Sequence, residues 1–358
     1  MPQDKVLITG NEAIAEGAIQ AGCLFYAGYP ITPQNELTAY MAEEMPKAGR
    51  CFIQAESELS AINMVFGAAA SGARAMTSSS SPGISLKQEG ISYLAGAELP
   101  AVIVNVMRGG PGLGNIAPAQ SDYFQATRSG GHGDYHCIVL APASVQEAYE
   151  LMFQAFELSD EYRTPAIILG DGMLGQMMEP VRINPELKKK VKVRLKPWAL
   201  TGCRGRPPNV IKSFYLKEGD LEKFNIVLQQ KYRRIRQGEQ RYEACGLEDA
   251  KIILVAYGTM ARIARAALND PRLKDKKLGL IRPISLWPFP VKVFERLKRT
   301  KKKARILVIE MSYGQMLEDV KLALGDRFRI DFLGRSGGGI PSAEEIIRKI
   351  NGMFKNRD

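Results

Sequence analysis

Residues 23–45 read CLFYAGYPITPQNELTAYMAEEM. The first seven, CLFYAGY (23–29), are strand-like. Over residues 34–45, Leu37, Met41 and Met45 fall at i, i+4 and i+8, which is one face of a helix. Between them lies the polar turn Tyr29-Pro-Ile-Thr32-Pro-Gln-Asn35. The same alternation extends both ways. Upstream, Asn11 can cap a helix carrying Ile14, Ala18 and Ile19. Downstream, Cys51–Gln54 reads as a strand, and residues 57–71 as a helix whose Ala68-Ala69-Ala70 suits close packing on a sheet. Ala101–Val106 and Ala166–Leu169 are short strands of the buried type. Ser144-Val-Gln-Glu147 is a capping box opening a helix through Leu158. Strands without a polar alternate face, each followed by a helix, imply a doubly wound parallel α/β sheet covered on both sides. This unit runs over residues 1–180.

Residues 181–249 break the pattern with a Lys run, Pro185, Pro197, Pro207-Pro208 and a polar stretch around 229–240. They read as a connector with some helix near 219–236. Alternation returns over 250–358, with strands at 251–256, 279–282, 305–310 and 329–333 and helices at 260–268, 291–298, 314–324 and 342–350. That is a second, smaller α/β domain.

A chain of 358 residues supports about two domains of this kind. Its 45% apolar and 24% charged residues are those of a folded globular protein. No stretch approaches the roughly 20 apolar residues of a bilayer span, and residues 1–17 lack a secretory signal's basic and apolar regions. The expectation is a cytoplasmic protein with no membrane association. The five cysteines (23, 51, 137, 203, 245) are at least 28 residues apart, so no CxxC cradle for zinc or an iron–sulfur cluster exists. Any cluster chemistry must come from another chain. With His132 and His136 as its only histidines, the chain offers no multi-His metal site.

The net charge is +11, and the cationic excess lies in the second half: Lys188–Lys190, Arg233-Arg234 with Arg236, and Lys298-Arg299 with Lys301–Lys303. Solvated helix faces explain such runs. The alternatives are an acidic protein partner and nucleic acid. No aromatic–basic interleaving accompanies the runs, which argues against nucleic acid.

Three Gly-rich signals bear on ligands. Gly112-Leu-Gly114-Asn-Ile-Ala117 fits a dinucleotide pattern, and with it an NAD-linked dehydrogenase, but Met107–Gly110 separate it from its strand and prolines flank it. Gly170-Asp171-Gly172 opens a thiamine diphosphate fingerprint, but the Asn pair that would complete its magnesium site is missing from VRLKPW (193–198). Arg108, in RGGPGLG (108–114), stands at a strand's carboxyl end, where its guanidinium can grip a carboxylate by two parallel hydrogen bonds. Polar loops follow three more strands: Thr32 between Pro30 and Pro33; Glu56 and Glu58; and Thr77–Ser81 with Pro82-Gly83. Their joint placement marks one sheet edge as a binding crevice.

At these positions the sequence resembles a known family. GYPITPQNE (28–36), QAESELSAINMVFGAAASG (54–72), AMTSSSSPGISLKQEGISYLAGAELP (75–100), NVMRGGPGLG (105–114), GGHGDYH (130–136) and LAPASVQE (140–147) resemble the alpha subunit of 2-oxoacid:ferredoxin oxidoreductases, most closely the branched-chain (2-oxoisovalerate) type; the 2-oxoglutarate type is the alternative. The resemblance is dense over 8–180 and looser over 250–350, through LIRPISLWPFP (280–290).

The resemblance implies a division of labour. This chain would supply the pyrimidine-binding domain for thiamine diphosphate. A beta subunit would hold the diphosphate and Mg²⁺. A gamma subunit and a ferredoxin-like delta subunit would complete the complex, with the iron–sulfur clusters in partner chains. Residues 250–350 would resemble the transketolase C-terminal domain. By motif, Glu58 is implied as the catalytic acid that hydrogen-bonds the pyrimidine N1′, preferred over Glu56 from the spacing to Gly67 and Gly72. A carboxyl buried in apolar surroundings can share its proton with that ring nitrogen. Thr32 and Arg108 would hold the substrate carboxylate. Tyr29, Pro30, Ser80 and Ser81 would contact the cofactor, and Leu113 and Ile116 would offer a branched side chain an apolar wall. The implied reaction takes a 2-oxoacid and coenzyme A to the acyl-CoA, with electrons to ferredoxin. His132 and His136 receive no catalytic role.

Overall fold

The computed structural model describes residues 5–191, 195–299 and 304–355. Lys301–Lys303 of the last basic run lie outside them. A seven-stranded sheet carries the N-terminal half. In spatial order its strands are Ser285–Trp287, Ile138–Leu140, Ala166–Asp171, Val102–Met107, Ala75–Ser79, Phe25–Gly28 and Cys51–Gln54. Every pairing is parallel except that of Ser285–Trp287 with Ile138–Leu140. The expected doubly wound sheet is therefore present, with an antiparallel edge strand lent by the second half. That strand is only three residues long and flanked by prolines, so no period announces it.

The order of strands creates the crevice. From Phe25–Gly28 the chain crosses outward to Cys51–Gln54, returns to Ala75–Ser79 on the other side, and proceeds the opposite way to Val102–Met107. The switch point therefore lies between Phe25–Gly28 and Ala75–Ser79, and ligands bind beyond strand carboxyl ends at such points. These two strands pair only at Phe25↔Ala75 and Tyr26↔Met76 and then part. Tyr26 bridges the gap, its hydroxyl 2.6 Å from Ser78 Oγ and 3.0 Å from Thr38 Oγ1.

A second, five-stranded sheet is ordered Ile330–Gly334, Arg305–Glu310, Ile252–Val255, Leu278–Pro283, Tyr242–Cys245, parallel but for the last. Lys5–Thr9 pairs antiparallel with Met178–Arg182. In the segment read as a connector, Asp220–Gly238 is a long helix that buries Leu228, Lys231, Tyr232 and Ile235. One continuous core joins residues of both halves, among them Val104, Tyr232, Trp287 and Phe294. Among the described residues no helix is long and apolar enough to cross a membrane.

Two expected caps differ in detail. The first helix, Gly10–Gln20, is capped by Thr9 rather than Asn11, in a full capping box with Glu12. Asn11 sits inside the helix and donates to Pro33 O and Glu36, so it braces the Thr32 loop instead. Ser144 caps Val145–Tyr162 as expected. However, Glu147 takes the Ala143 N–H, and its two oxygens meet Arg282 at 2.7 Å each. A carboxylate facing a guanidinium from another domain makes the stronger, charge-assisted pair.

The charge is segregated along the chain. Residues 1–180 hold 19 Asp and Glu against 8 Lys and Arg. Some of the second half's cations neutralise these acids internally. Lys231 pairs with Glu98, Arg282 with Glu147, Arg262 with Glu179 and Lys196 with Asp160. Lys188–Lys190 end a short helix with no buried residue, as a solvated run should.

Candidate active site at the switch point

The loops 29–34 and 80–83 face each other across the switch point, with Glu58 beside them. Ser57 caps helix Glu58–Ala70, its side chain accepting from Ser60 N. The cap turns Glu56 outward and the next acid inward: Glu56 is exposed, whereas Glu58 is only 6% exposed. No described residue donates a hydrogen bond to the Glu58 carboxylate. A buried carboxylate without protein donors is costly unless a ligand satisfies it.

The opposite wall is Ser79–Gly83. Ser79 Oγ and Ser80 Oγ are buried without hydrogen-bond partners, as is Arg108 Nε. The helix Ser81–Gly96 opens here with Pro82 in its first turn. A Cβ on Gly83 would stand 2.1 Å from Ser79 Oγ and 2.5 Å from Glu58 Oε1. Only glycine leaves that carboxylate its place. A carboxylate and the unsatisfied Ser79 hydroxyl within one cradle fit a ring that both donates and accepts hydrogen bonds, as an aminopyrimidine does.

The site contains one neighbour that sequence reasoning missed. Lys87 is fully buried under Glu58 and donates to Thr77 Oγ1 at 3.1 Å and to the Glu58 carbonyl at 3.4 Å. Burial lowers its pKa to about 8, against the opposing pull of Glu58. The surroundings of Glu58 are thus not simply apolar, as expected from the sequence. The signal was present: Lys87 shares a helix face with Ile84, Ile91 and Leu94.

Arg108 is buried, and its terminal nitrogens are already engaged, Nη1 with Thr32 O at 3.0 Å and Nη2 with Leu113 O at 3.1 Å. It therefore clasps the Thr32 loop to loop 109–117. The Thr32 hydroxyl faces outward and accepts from Asn35 Nδ2 at 3.3 Å. Tyr29 and Pro30 are exposed at the rim. Ser81 Oγ donates to Asp122 at 2.6 Å and accepts from Arg108 N at 3.0 Å, so its hydroxyl is committed internally. Burial raises the Asp122 pKa, opposed by the bonds from Ser81 and Asn105. Gln34 backs the loop, accepting from Ser78 Oγ at 2.6 Å and Thr38 Oγ1 at 3.2 Å. Leu113 and Ile116 are exposed on their loop.

Gly112–Ala117 is an open loop followed by an isolated bridge between Arg108 and Pro118, and no helix begins at it. Without a helix N-terminus it cannot cradle a pyrophosphate as a dinucleotide turn does. Asp171 caps the short helix Gly172–Gln176 through Met173 N and Leu174 N, an intramolecular role. His136 stacks on Trp287 at 4.4 Å, and its Nε2 lies 3.1 Å from Arg236, remote from the crevice.

The fold and the crevice together define a thiamine-type α/β protein. A sequence profile for the pyruvate flavodoxin/ferredoxin oxidoreductase, thiamine-diphosphate-binding domain matches residues 16–223, and one for the pyruvate:ferredoxin oxidoreductase core domain II matches residues 250–346. The chain belongs to this oxidoreductase family. Among curated relatives, it is 51% identical over 345 residues to the ketoisovalerate oxidoreductase subunit VorB of Methanothermobacter marburgensis, with 96% of each chain covered. It is 41% identical over 319 residues to the 2-oxoglutarate synthase subunit KorA of Archaeoglobus fulgidus, covering 88% of this chain and 90% of that one. Among solved structures, 98% of the chain superposes on 65% of a chain of the 2-oxoglutarate:ferredoxin oxidoreductase from Magnetococcus marinus, with a TM-score of 0.87 and 26% identity. A split-gene transketolase, at 13% identity and a TM-score of 0.59, shares the fold.

Proposed function

We propose that this chain is the pyrimidine-binding subunit of a thiamine-dependent oxidoreductase that decarboxylates a branched-chain 2-oxoacid, 2-oxoisovalerate, to its acyl-CoA with electrons to ferredoxin. The observation that carries the reading is the buried Glu58 carboxylate, which meets no donor among the described residues and stands in a glycine-walled cradle beside the unsatisfied Ser79 hydroxyl. The substrate assignment is supported by the 51% identity to a ketoisovalerate oxidoreductase subunit.

When bound, thiamine diphosphate supplies the nucleophilic carbon and the electron sink for decarboxylation. Glu58 holds a proton at the pyrimidine N1′ and so tunes the ring's exocyclic amine. Ser80 and the unassigned Ser79 offer hydroxyls to the ring, Tyr29 and Pro30 form its rim, and Ser81 fixes the turn through Asp122 and Arg108. Arg108 and Thr32 meet the substrate carboxylate, Arg108 through its free Nε and the remaining hydrogens of its fork, Thr32 through its outward hydroxyl. Leu113 and Ile116 close on the aliphatic end.

The diphosphate and its Mg²⁺ fall to a beta subunit, and the iron–sulfur clusters to partner chains, a gamma and a ferredoxin-like delta subunit. Relatives named as subunits support partnership, and the scattered cysteines support this division. Residues 1–180, 181–249 and 250–358 act as pyrimidine domain, connector and transketolase C-terminal-like domain. The complex is cytoplasmic in this reading. The test is to co-purify the complex and assay ferredoxin reduction with coenzyme A and 2-oxoisovalerate, 2-oxoglutarate or pyruvate. Preference for the branched acid supports the reading, and preference for 2-oxoglutarate overturns the substrate assignment.

A further inference from the structure

The second sheet has a switch point of its own. From Ile252–Val255 the chain crosses to Leu278–Pro283 on one side, returns to Arg305–Glu310 on the other and goes on outward to Ile330–Gly334. Ligands bind beyond strand carboxyl ends at such points. Here the place is taken by the first domain's own chain. Gln120, fully buried, lies between the residues that follow the two central strands. Its main-chain N–H donates to Met311 O at 2.9 Å, and its Oε1 accepts from Met311 N at 3.0 Å. Its Nε2 donates to Tyr257 O at 3.0 Å, and its carbonyl accepts from the Tyr257 hydroxyl at 3.2 Å. The two strand ends thus satisfy all four polar groups of one glutamine, as they would those of a bound amide ligand.

The rest of the segment docks along the same sheet edge. Downstream of Gln120, the Gln315 side chain accepts from Phe124 N at 2.8 Å and donates to Ser121 O at 2.7 Å, and the Tyr123 hydroxyl donates to Asp319 at 2.6 Å. Upstream, Asn115 Nδ2 donates at 3.0 Å to Gly337 O, in the glycine turn that follows Ile330–Gly334, while its Oδ1 accepts from Ala117 N at 3.0 Å. The two turns touch. A Cβ on Gly338 would stand 2.5 Å from Ala117 Cβ, and the φ of +90° there suits glycine. Held in this way, loop 109–117 closes on Arg108. Asn115 N donates to Gly109 O at 3.0 Å, Gly109 N donates to Ala117 O at 2.8 Å, and Leu113 O accepts from Arg108 Nη2 at 3.1 Å.

Resting on the reading of Arg108 as the grip on the substrate carboxylate, we propose that the five-stranded domain uses its ligand crevice to hold the substrate loop, with Gln120 as the plug and Asn115 and the Gly337-Gly338 turn as the tie nearest the substrate. Asn115 and Gly338 are positioning residues. They fix the Leu113 carbonyl against which the guanidinium is set, so the fork waits in the orientation that a carboxylate needs. The second domain reaches the substrate without touching it, and an arm ordered beforehand binds more tightly than one that must be ordered on binding.

The test uses the assembled complex and its steady-state kinetics with coenzyme A, ferredoxin and the 2-oxoacid it oxidises fastest. Gly338→Ala leaves the first domain's sequence intact and pushes the two turns apart. Asn115→Ser keeps an acceptor for Ala117 N but is too short to reach Gly337. Each should raise KM for the 2-oxoacid about fivefold, as the loss of one net hydrogen bond does, with KM for coenzyme A at its wild-type value. A merely structural role lowers kcat through loss of folded enzyme and leaves both KM values in place. Gly338→Ala with the wild-type KM for the 2-oxoacid overturns the proposal, as does a parallel rise in both KM values. Should Gly338→Ala not assemble, Asn115→Ser decides by the same two criteria. Arg108→Gln separates the readings. A KM for the 2-oxoacid unchanged by Arg108→Gln sinks the carboxylate assignment itself. A KM raised there but unmoved in Gly338→Ala sinks only the present inference.

Discussion

Gly83→Ala isolates the cradle from the rest of the fold. Its Cβ would lie 2.1 Å from Ser79 Oγ and 2.5 Å from Glu58 Oε1. An ordinary non-bonded contact is about 3.5 Å, so the carboxylate must retreat by about an ångström. Ser79 Oγ has no hydrogen-bond partner to hold it and can rotate aside. The stability loss is therefore that of a relieved overpacking, about 1–2 kcal/mol, seen as a fall of a few degrees in Tm. The functional loss is larger, because an ångström of misplacement in a reacting group costs about 100-fold in rate, or ~2.7 kcal/mol of barrier. The assay is 2-oxoacid-dependent ferredoxin reduction by the assembled complex, with Tm measured in parallel. A variant with the lowered Tm and near-normal turnover would refute the reasoning, since the carboxylate would have moved without consequence.

Two further predictions concern the frame. Arg282, on a strand of the second sheet, is 3% exposed and grips both oxygens of Glu147 at 2.7 Å and Glu243 at 3.0 Å. Arg282→Met leaves Glu147 half-buried and unpaired, at a cost of about 3 kcal/mol, and should lower Tm by on the order of 5 °C; an unchanged Tm in calorimetry contradicts the clasp. The second concerns acid stability. Burial, assisted by Arg236, lowers the His136 pKa from 6.5 to about 4. The neutral form is the one the fold prefers, so its contribution is complete above pH 6.5 and is lost as pH falls from 6.5 towards 4, by at most about 3 kcal/mol. His136→Phe keeps the ring on Trp287 and should flatten urea-derived stability over that interval; an unaltered pH slope would count against it.

Much of the crevice was legible because it is written locally. Each parallel strand is followed at once by its polar turn, so the loops at 29–34, 56–58 and 77–83 could be assigned to one sheet edge before any pairing was known. The family resemblance preferred Glu58 to Glu56, and the Ser57 cap explains why only Glu58 turns inward. What escaped was non-local. The three residues 285–287 have no period of their own and become a strand only because Ile138–Leu140 offers an edge. Lys87 reads as surface because lysines usually are, although its helix face is apolar. The capping box at Thr9 was hidden by Asn11, itself a favoured cap residue, which drew the expected helix start two positions downstream. The basic runs read as solvated faces, and that reading left unseen the cations outside the runs, Lys196, Lys231, Arg262 and Arg282, which pair with carboxylates of the first half. For Arg108, burial and a free Nε agree with an anion site, but its clasp between two loops depends on a fold of residues 109–117 that no motif specifies.

The most direct test of the account is the exchange rate of the thiamine C2 proton in the assembled complex carrying Glu58→Gln, measured by NMR after rapid quench. The amide fills the same space but cannot hold the shared proton at N1′. The account predicts cofactor still bound and exchange slowed by at least about 100-fold. Exchange at the wild-type rate with the cofactor in place would contradict it.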